Sequence, residues 1–197
     1  MVAKRAVIYV KSDVYLQQKW MDCGAYAVRA VTNLYGVDKD LPPRKYLTSL
    51  GKLFFGFMWP STISKILEKK KFKAPLLRAI NRKNKLHVLK KYLEKGYPII
   101  TLINNVYNAR RERVFIKRYY ALHWVTLLGY DDEKKLFYIY DSYLHKRSYE
   151  KDLPVGNVSM SYDDFLKFWK GKFIARLFSY LYIPVVKNEV RKKRNKK

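Results

Sequence analysis

Cys23 lies in Gln17-Gln18-Lys19-Trp20-Met21-Asp22-Cys23-Gly24-Ala25, at the start of a stretch whose apolar spacing marks a helix. Thiolate is the reactive form of cysteine, and the positive end of a helix dipole stabilises it. Hydrolysis by a thiolate needs a nucleophile, a base, a group that orients the base, and a donor for the developing oxyanion. Gln17 stands six residues before Cys23, His123 a hundred after it, and Asp141 follows the next strand-like run. The chain therefore carries a candidate for every role.

Each candidate also has a plainer reading. A free cysteine is often just a small buried hydrophobe, but Cys23 leads the apolar stripe of its helix instead of lying within it. His87 sits among the leucines and lysines of another helical stretch, and His145, in Leu144-His145-Lys146-Arg147, reads as a solvated loop residue. His123 directly precedes the apolar run Trp124-Val125-Thr126-Leu127-Leu128, so a sheet would hold its ring still, as a general base requires. Asp141 either opens the turn at Asp141-Ser142-Tyr143 or orients His123. Gln17 and Gln18 are equivalent in chemistry as oxyanion donors.

The elements that must bring these residues together can be read from periodicity. A short strand is expected within Ala6–Val10. A helix from Cys23 to Tyr35 carries Ala27, Ala30, Val31 and Leu34 on one stripe, with Asp22 capping its start and Gly36 ending it. Leu53 to Trp59 is a dense aromatic run, read as core or cleft wall. Ser61 caps a helix with Ile63, Ile66 and Leu67, and a third helix with Leu86, Leu89 and Leu93 ends at Gly96. Tyr97-Pro98 breaks that helix before the buried strand Ile99–Ile103. Trp124 to Leu128 and Leu136 to Tyr140 form a hairpin joined by residues 129–135, then a short helix at 163–169 closes at Gly171, and Leu181 to Val186 is a last strand. That hairpin pairs Leu128 with Leu136 and His123 with Asp141. Cross-strand partners share a face with Cβ atoms about 4.5–5.5 Å apart, near enough for a carboxylate to hold an imidazole.

The helix-first, sheet-after order is an α+β arrangement, with an N-terminal helical part packed on an antiparallel sheet. A length of 197 residues fits one domain over residues 1–186, followed by a basic tail at 187–197 with seven Lys or Arg and a single valine. One cysteine excludes an intramolecular disulfide and a thiolate zinc cluster, so no metal is expected. No run approaches the roughly 18 apolar residues of a membrane span, and a cytoplasmic protein is expected. The formal charge of +26, from 42 Lys plus Arg against 16 Asp plus Glu, favours contact with nucleic acid, anionic lipid or an acidic protein partner, against the plainer reading of a soluble surface with no specific polyanion. The tail and the Arg110–Arg118 stretch are the candidate contacts.

The run from Gln17 to Ala25, with His123 to Asp131 and Tyr138-Ile139-Tyr140-Asp141, resembles the C39-like (bacteriocin-processing type) branch of the papain-like cysteine peptidases. Tyr92 to Ile100 and Phe165 to Gly171 resemble that family's helix, Gly-x-Pro turn and central strand, and its late helix. The resemblance spans most of residues 14 to 185. It implies Cys23 as nucleophile, His123 as base, Asp141 as orienting acid and Gln17, at the six-residue offset, as oxyanion donor. It implies a peptidase without cofactor, acting on a peptide or protein at a Gly-Gly-type site. The rival reading is a basic module that binds nucleic acid or a ribosomal surface on an inactive peptidase-like fold.

Overall fold

The computed structural model describes residues 4–9, 15–19, 21–49, 51, 56–104 and 122–188. Its helices are α1 (Cys23–Leu34), α2 (Pro60–Lys69), α3 (Lys85–Glu94) and α4 (Tyr162–Lys170). Its strands are β1 (Arg5–Val7), β2 (Phe72–Lys73), β3 (Leu77–Arg78), β4 (Ile99–Ile103), β5 (His123–Asp131), β6 (Leu136–Tyr140), β7 (Val158–Ser161), β8 (Leu181–Pro184) and β9 (Val186–Lys187). The large sheet runs β3-β8-β4-β5-β6-β7 with every pairing antiparallel, and β1 joins β5. Lys187, which composition assigns to the tail, pairs with Phe72 through β9, while 189–197 lie outside the described residues. So do Arg110–Arg118 and residues 53–55 of the Leu53–Trp59 run.

Both faces of the sheet are covered, which is why β4 and β5 are apolar without alternation. On one face Ile99, Ile103, Val125, Leu127 and Ile139 pack with Leu89 and Leu93 of α3 and with Phe165 and Trp169 of α4. On the other, Ile100, Leu102 and Trp124 pack with Ala27 and Val31 of α1 and with Ile63 and Leu67 of α2. The expected stripe of α1 is buried, but so is nearly every position from Cys23 to Thr32, because the turn at Pro43–Tyr46 covers the outer side. Arg29 is tolerated there since its guanidinium donates to the Leu41 and Lys39 carbonyls.

Three local expectations are corrected. Asp22 occupies the N-cap of α1 but its side chain makes no capping bond; its backbone (φ −97°, ψ 25°) lies outside the extended region a capping residue adopts. Ser61 is inside α2, which begins at Pro60, whose fixed φ suits a first helical residue. The hairpin connection is only 132–135, with Asp131 facing Leu136. Asp131 Oδ1 accepts the N–H groups of Glu133 and Lys134 and so starts the turn. Gly129 is not a turn residue: it lies in β5 opposite Val7 of β1, where a Cβ would sit 2.5 Å from the Ala6 carbonyl oxygen. The close strand needs glycine for space.

The register of this hairpin decides the site. From the turn, Tyr130 pairs with Phe137 and Gly129 with Tyr138, but Leu127 then pairs with Ile139, leaving Leu128 as a bulge. Thr126 faces Tyr140, so Asp141, one step on, falls opposite Val125 and not opposite His123. The expected direct pairing is wrong by two residues, and because two is the period of a strand, the face is kept. Without the extra residue Asp141 would fall opposite Thr126, on the side away from His123.

Candidate active site

Cys23 is the first residue of α1, and the Asp22 carbonyl accepts the N–H groups of Ala25 and Tyr26, fixing the turn that holds the thiol. Cys23 is 5% exposed, and its Sγ accepts the Trp124 backbone N–H at 3.4 Å, which ties the helix start to the first residues of β5. The Trp124 indole donates to the Met58 carbonyl at 3.0 Å and locks the same corner from the other side.

His123 opens β5 and is buried. Its Nε2 meets Asp141 Oδ1 at 2.6 Å, and Cys23 is close enough to act on its charge. A carboxylate can only accept, so Nε2 carries hydrogen and Nδ1 is the nitrogen left for the thiol. Burial works against a charged imidazole, but the Asp141 carboxylate and the neighbouring Cys23 outweigh it and push the His123 pKa up to about 10. Tyr143 stands edge-on to the imidazole with ring centres 6.2 Å apart.

Asp141 lies just beyond β6, where the ladder no longer holds the backbone. Asn157 takes over: its Oδ1 accepts the Asp141 N–H and its Nδ2 donates to the Asp141 carbonyl, both at 2.8 Å. Asn157 is itself fixed through its N–H to the Ile139 carbonyl. The preceding Gly156 has φ +81°, and a Cβ there would sit 2.4 Å from the Ile139 carbonyl oxygen. Asp141 Oδ1 also accepts the Tyr143 N–H at 2.8 Å, so the carboxylate serves both the imidazole and its own turn.

The segment before α1 is fastened to the same turn. The Tyr140 hydroxyl donates to the Leu16 carbonyl, the Gln18 N–H donates to the Ser142 carbonyl, and Ser142 Oγ donates to Gln18 Oε1. The Gly156 N–H donates to the Tyr15 hydroxyl. Gln18 is therefore committed to Ser142. Gln17, half-buried, makes no hydrogen bond with the described residues. Sequence reading missed Asn157, Ser142 and Tyr140, since polar groups that hold backbone have no spacing signature. It also missed the environment of Asp22, which is wholly buried with neither oxygen hydrogen-bonded to the described residues and Arg44 Nε at 3.7 Å. His87 and His145 lie on α3 and in an exposed loop, apart from this cluster. Among the described residues no group of three His, Cys, Asp or Glu side chains could hold a metal, and no helix is long and apolar enough to cross a membrane.

Residues 12–170 match the model of the Peptidase_C39 like family. The chain belongs to that family. It is a cysteine-type peptidase of papain-like α+β fold, and the matched span runs from before Gln17 through α4. No curated protein matches it. Among solved structures it is similar to the peptidase domain of Streptococcus ComA, a bi-functional ABC transporter involved in quorum sensing, at 16% identity over 94% of this chain and 100% of that one, with a TM-score of 0.49. It is similar also to a double glycine motif protease from an AMS/PCAT transporter in complex with the leader peptide, at 15% identity over 93% and 95% of the two chains, with a TM-score of 0.49.

Proposed function

We propose that this C39-like peptidase cleaves a peptide or isopeptide bond with Cys23 as nucleophile, His123 as base and acid, Asp141 as the orienter of His123, and Gln17 with the Cys23 N–H as oxyanion donors. The observation that carries the reading is the buried 2.6 Å contact between His123 Nε2 and Asp141 Oδ1 beside the Cys23 thiol. Nδ1 takes the thiol proton and leaves a thiolate beside an imidazolium. The thiolate attacks the carbonyl carbon, and the oxyanion forms against the backbone N–H at the start of α1 and the Gln17 amide. The tetrahedral intermediate collapses as the imidazolium gives its proton to the leaving nitrogen. Water, deprotonated by Nδ1, then releases the acyl group and restores the thiol. No step calls for a metal or an organic cofactor. Gln17 is preferred to Gln18 as donor on the six-residue offset to Cys23 that the family resemblance implies.

The family resemblance makes a peptide with a Gly-Gly site the first substrate to test. Labelling with a cysteine-directed activity probe should mark wild type at Cys23, fail for Cys23→Ser, and slow by about two to four orders of magnitude for His123→Ala, the range a general base supplies. Equal labelling of wild type and His123→Ala would overturn the assignment of His123. Cleavage of the Gly-Gly peptide that survives Cys23→Ser would overturn that of Cys23.

A further inference from the structure

The chemistry at Cys23 leaves the charge of +26 unexplained, and the charge is unevenly spread. Between Glu68 and Glu94 the sequence has ten Lys or Arg and no Asp or Glu. Folding collects four of them, Arg78, Arg82, Lys83 and Lys91, together with His87 and Lys95, around one groove of about 590 Å³. The groove lies between β3, at the edge of the sheet, and α3. Because α3 packs on the Ile99 and Ile103 face while α1 packs on the Ile100 and Leu102 face, the groove and the Cys23 helix are on opposite sides of the sheet.

Three features of the groove suit a phosphate backbone. Arg78, Arg82, Lys83, Lys91 and Lys95 are exposed, and none forms an ion pair with the described residues; Arg78 donates to the Leu177 carbonyl at 2.6 Å. His87, Lys91 and Lys95 follow at successive fourth positions along α3 and its C-cap, giving a row of cationic or hydrogen-bonding groups about 6 Å apart along one side. Half-buried Tyr92 on the wall adds an aromatic edge beside the charges. A bilayer would need these cations on a flat or protruding face, and here they line a concavity. An acidic peptide would satisfy the charge but has no use for an aromatic wall, whereas single-stranded nucleic acid is held by both.

We infer that the α3–β3 groove is a binding site for single-stranded nucleic acid, held through its phosphates on the face opposite the peptidase site. Binding there is sequence-independent and proceeds by counterion release, so it weakens steeply with salt. The inference does not depend on the peptidase reading.

The test is fluorescence anisotropy of a labelled oligo-dT or oligo-U strand titrated with the full chain over a range of salt concentrations. Arg78→Ala/Arg82→Ala/Lys83→Ala/Lys91→Ala removes four charges from the groove. Lys65→Ala/Lys69→Ala/Lys134→Ala/Lys151→Ala removes four from exposed positions elsewhere and is the charge-matched control. The groove variant should bind at least about tenfold more weakly and lose roughly 3 from the log–log salt slope, at about 0.7 for each phosphate contact with a single strand. The control variant should stay within about twofold of wild type. Probe labelling at Cys23 should be the same in all three chains, which separates this result from any failure of the peptidase reading. Equal losses in the two variants, or wild-type binding by the groove variant, would overturn the site. Displacement of the strand by an equal charge concentration of poly-glutamate, or tighter binding to phosphatidylserine vesicles than to the strand, would overturn the assignment of nucleic acid as partner.

Discussion

Replacing Asn157 by alanine should damage the protein twice, and the two effects can be measured apart. Asn157 is 1% exposed, and its amide makes two 2.8 Å hydrogen bonds, one to the N–H and one to the carbonyl of Asp141. Truncation leaves both backbone groups buried without a partner, at about 1–3 kcal/mol each, so the loss is about 2–6 kcal/mol. For a chain of this length that lowers Tm by about 5–20 °C. The second effect is on Asp141 itself, which sits past the last ladder pair of β6 and depends on this clamp for its position. A displacement of about 1 Å in a catalytic group can cost roughly 100-fold in rate, and labelling at Cys23 should slow by that order. Thermal unfolding followed by circular dichroism gives the first number. The titration of the His123 ring by NMR gives a readout that lost stability alone would not move, because a displaced Asp141 no longer sustains the pKa of about 10. Asn157→Asp keeps an acceptor for the Asp141 N–H and sets a carboxylate against the Asp141 carbonyl, so it should fall in between and serves if the alanine variant does not fold. The reasoning is refuted if Asn157→Ala is destabilised as expected while His123 titrates as in wild type, or if its Tm does not change.

Other outcomes follow from the same geometry. Asp141→Asn removes a charge that opposes burial, so the His123 pKa should fall from about 10; an NMR titration still centred near 10 would mean that Asp141 is not the cause. Because the folded-state pKa of His123 lies above its unfolded value, its contribution to stability is complete below pH 6.5 and lost as pH rises through about 10. Urea unfolding of wild type against His123→Ala should show their difference shrinking over that window, and a difference that grows would contradict the sign. Gly156→Ala places a Cβ 2.4 Å from the Ile139 carbonyl oxygen at φ +81°, whereas Gly96→Ala has φ +74° with nothing within 4 Å. The Gly96 change should cost about 1–2 kcal/mol for the left-handed backbone alone and the Gly156 change clearly more; equal chemical-denaturation midpoints would show that the contact behind Asn157 can relax.

Local chemistry and local periodicity were legible along the chain. A lone cysteine leading an apolar stripe, a histidine at the head of an apolar strand, and an aspartate after the next one were enough to single out Cys23, His123 and Asp141. The breaks at Gly36, Gly96 and Tyr97-Pro98 were legible because glycine and proline act on their own backbone. The tertiary structure decided what depends on residues far apart in the chain. Gly129 reads as a turn from its neighbours alone, and only the approach of β1 reveals it as a space requirement within β5. The bulge at Leu128 follows from how β5 meets its neighbouring strands, and it sets the parity that keeps Asp141 on the face of His123. Asn157 and Ser142 were invisible for the same reason: a side chain that holds distant backbone is identified by its partner, and the partner is supplied by the fold. Short-range sterics and hydrophobic spacing are written residue by residue, while register, clamps and grooves exist only once separate segments meet.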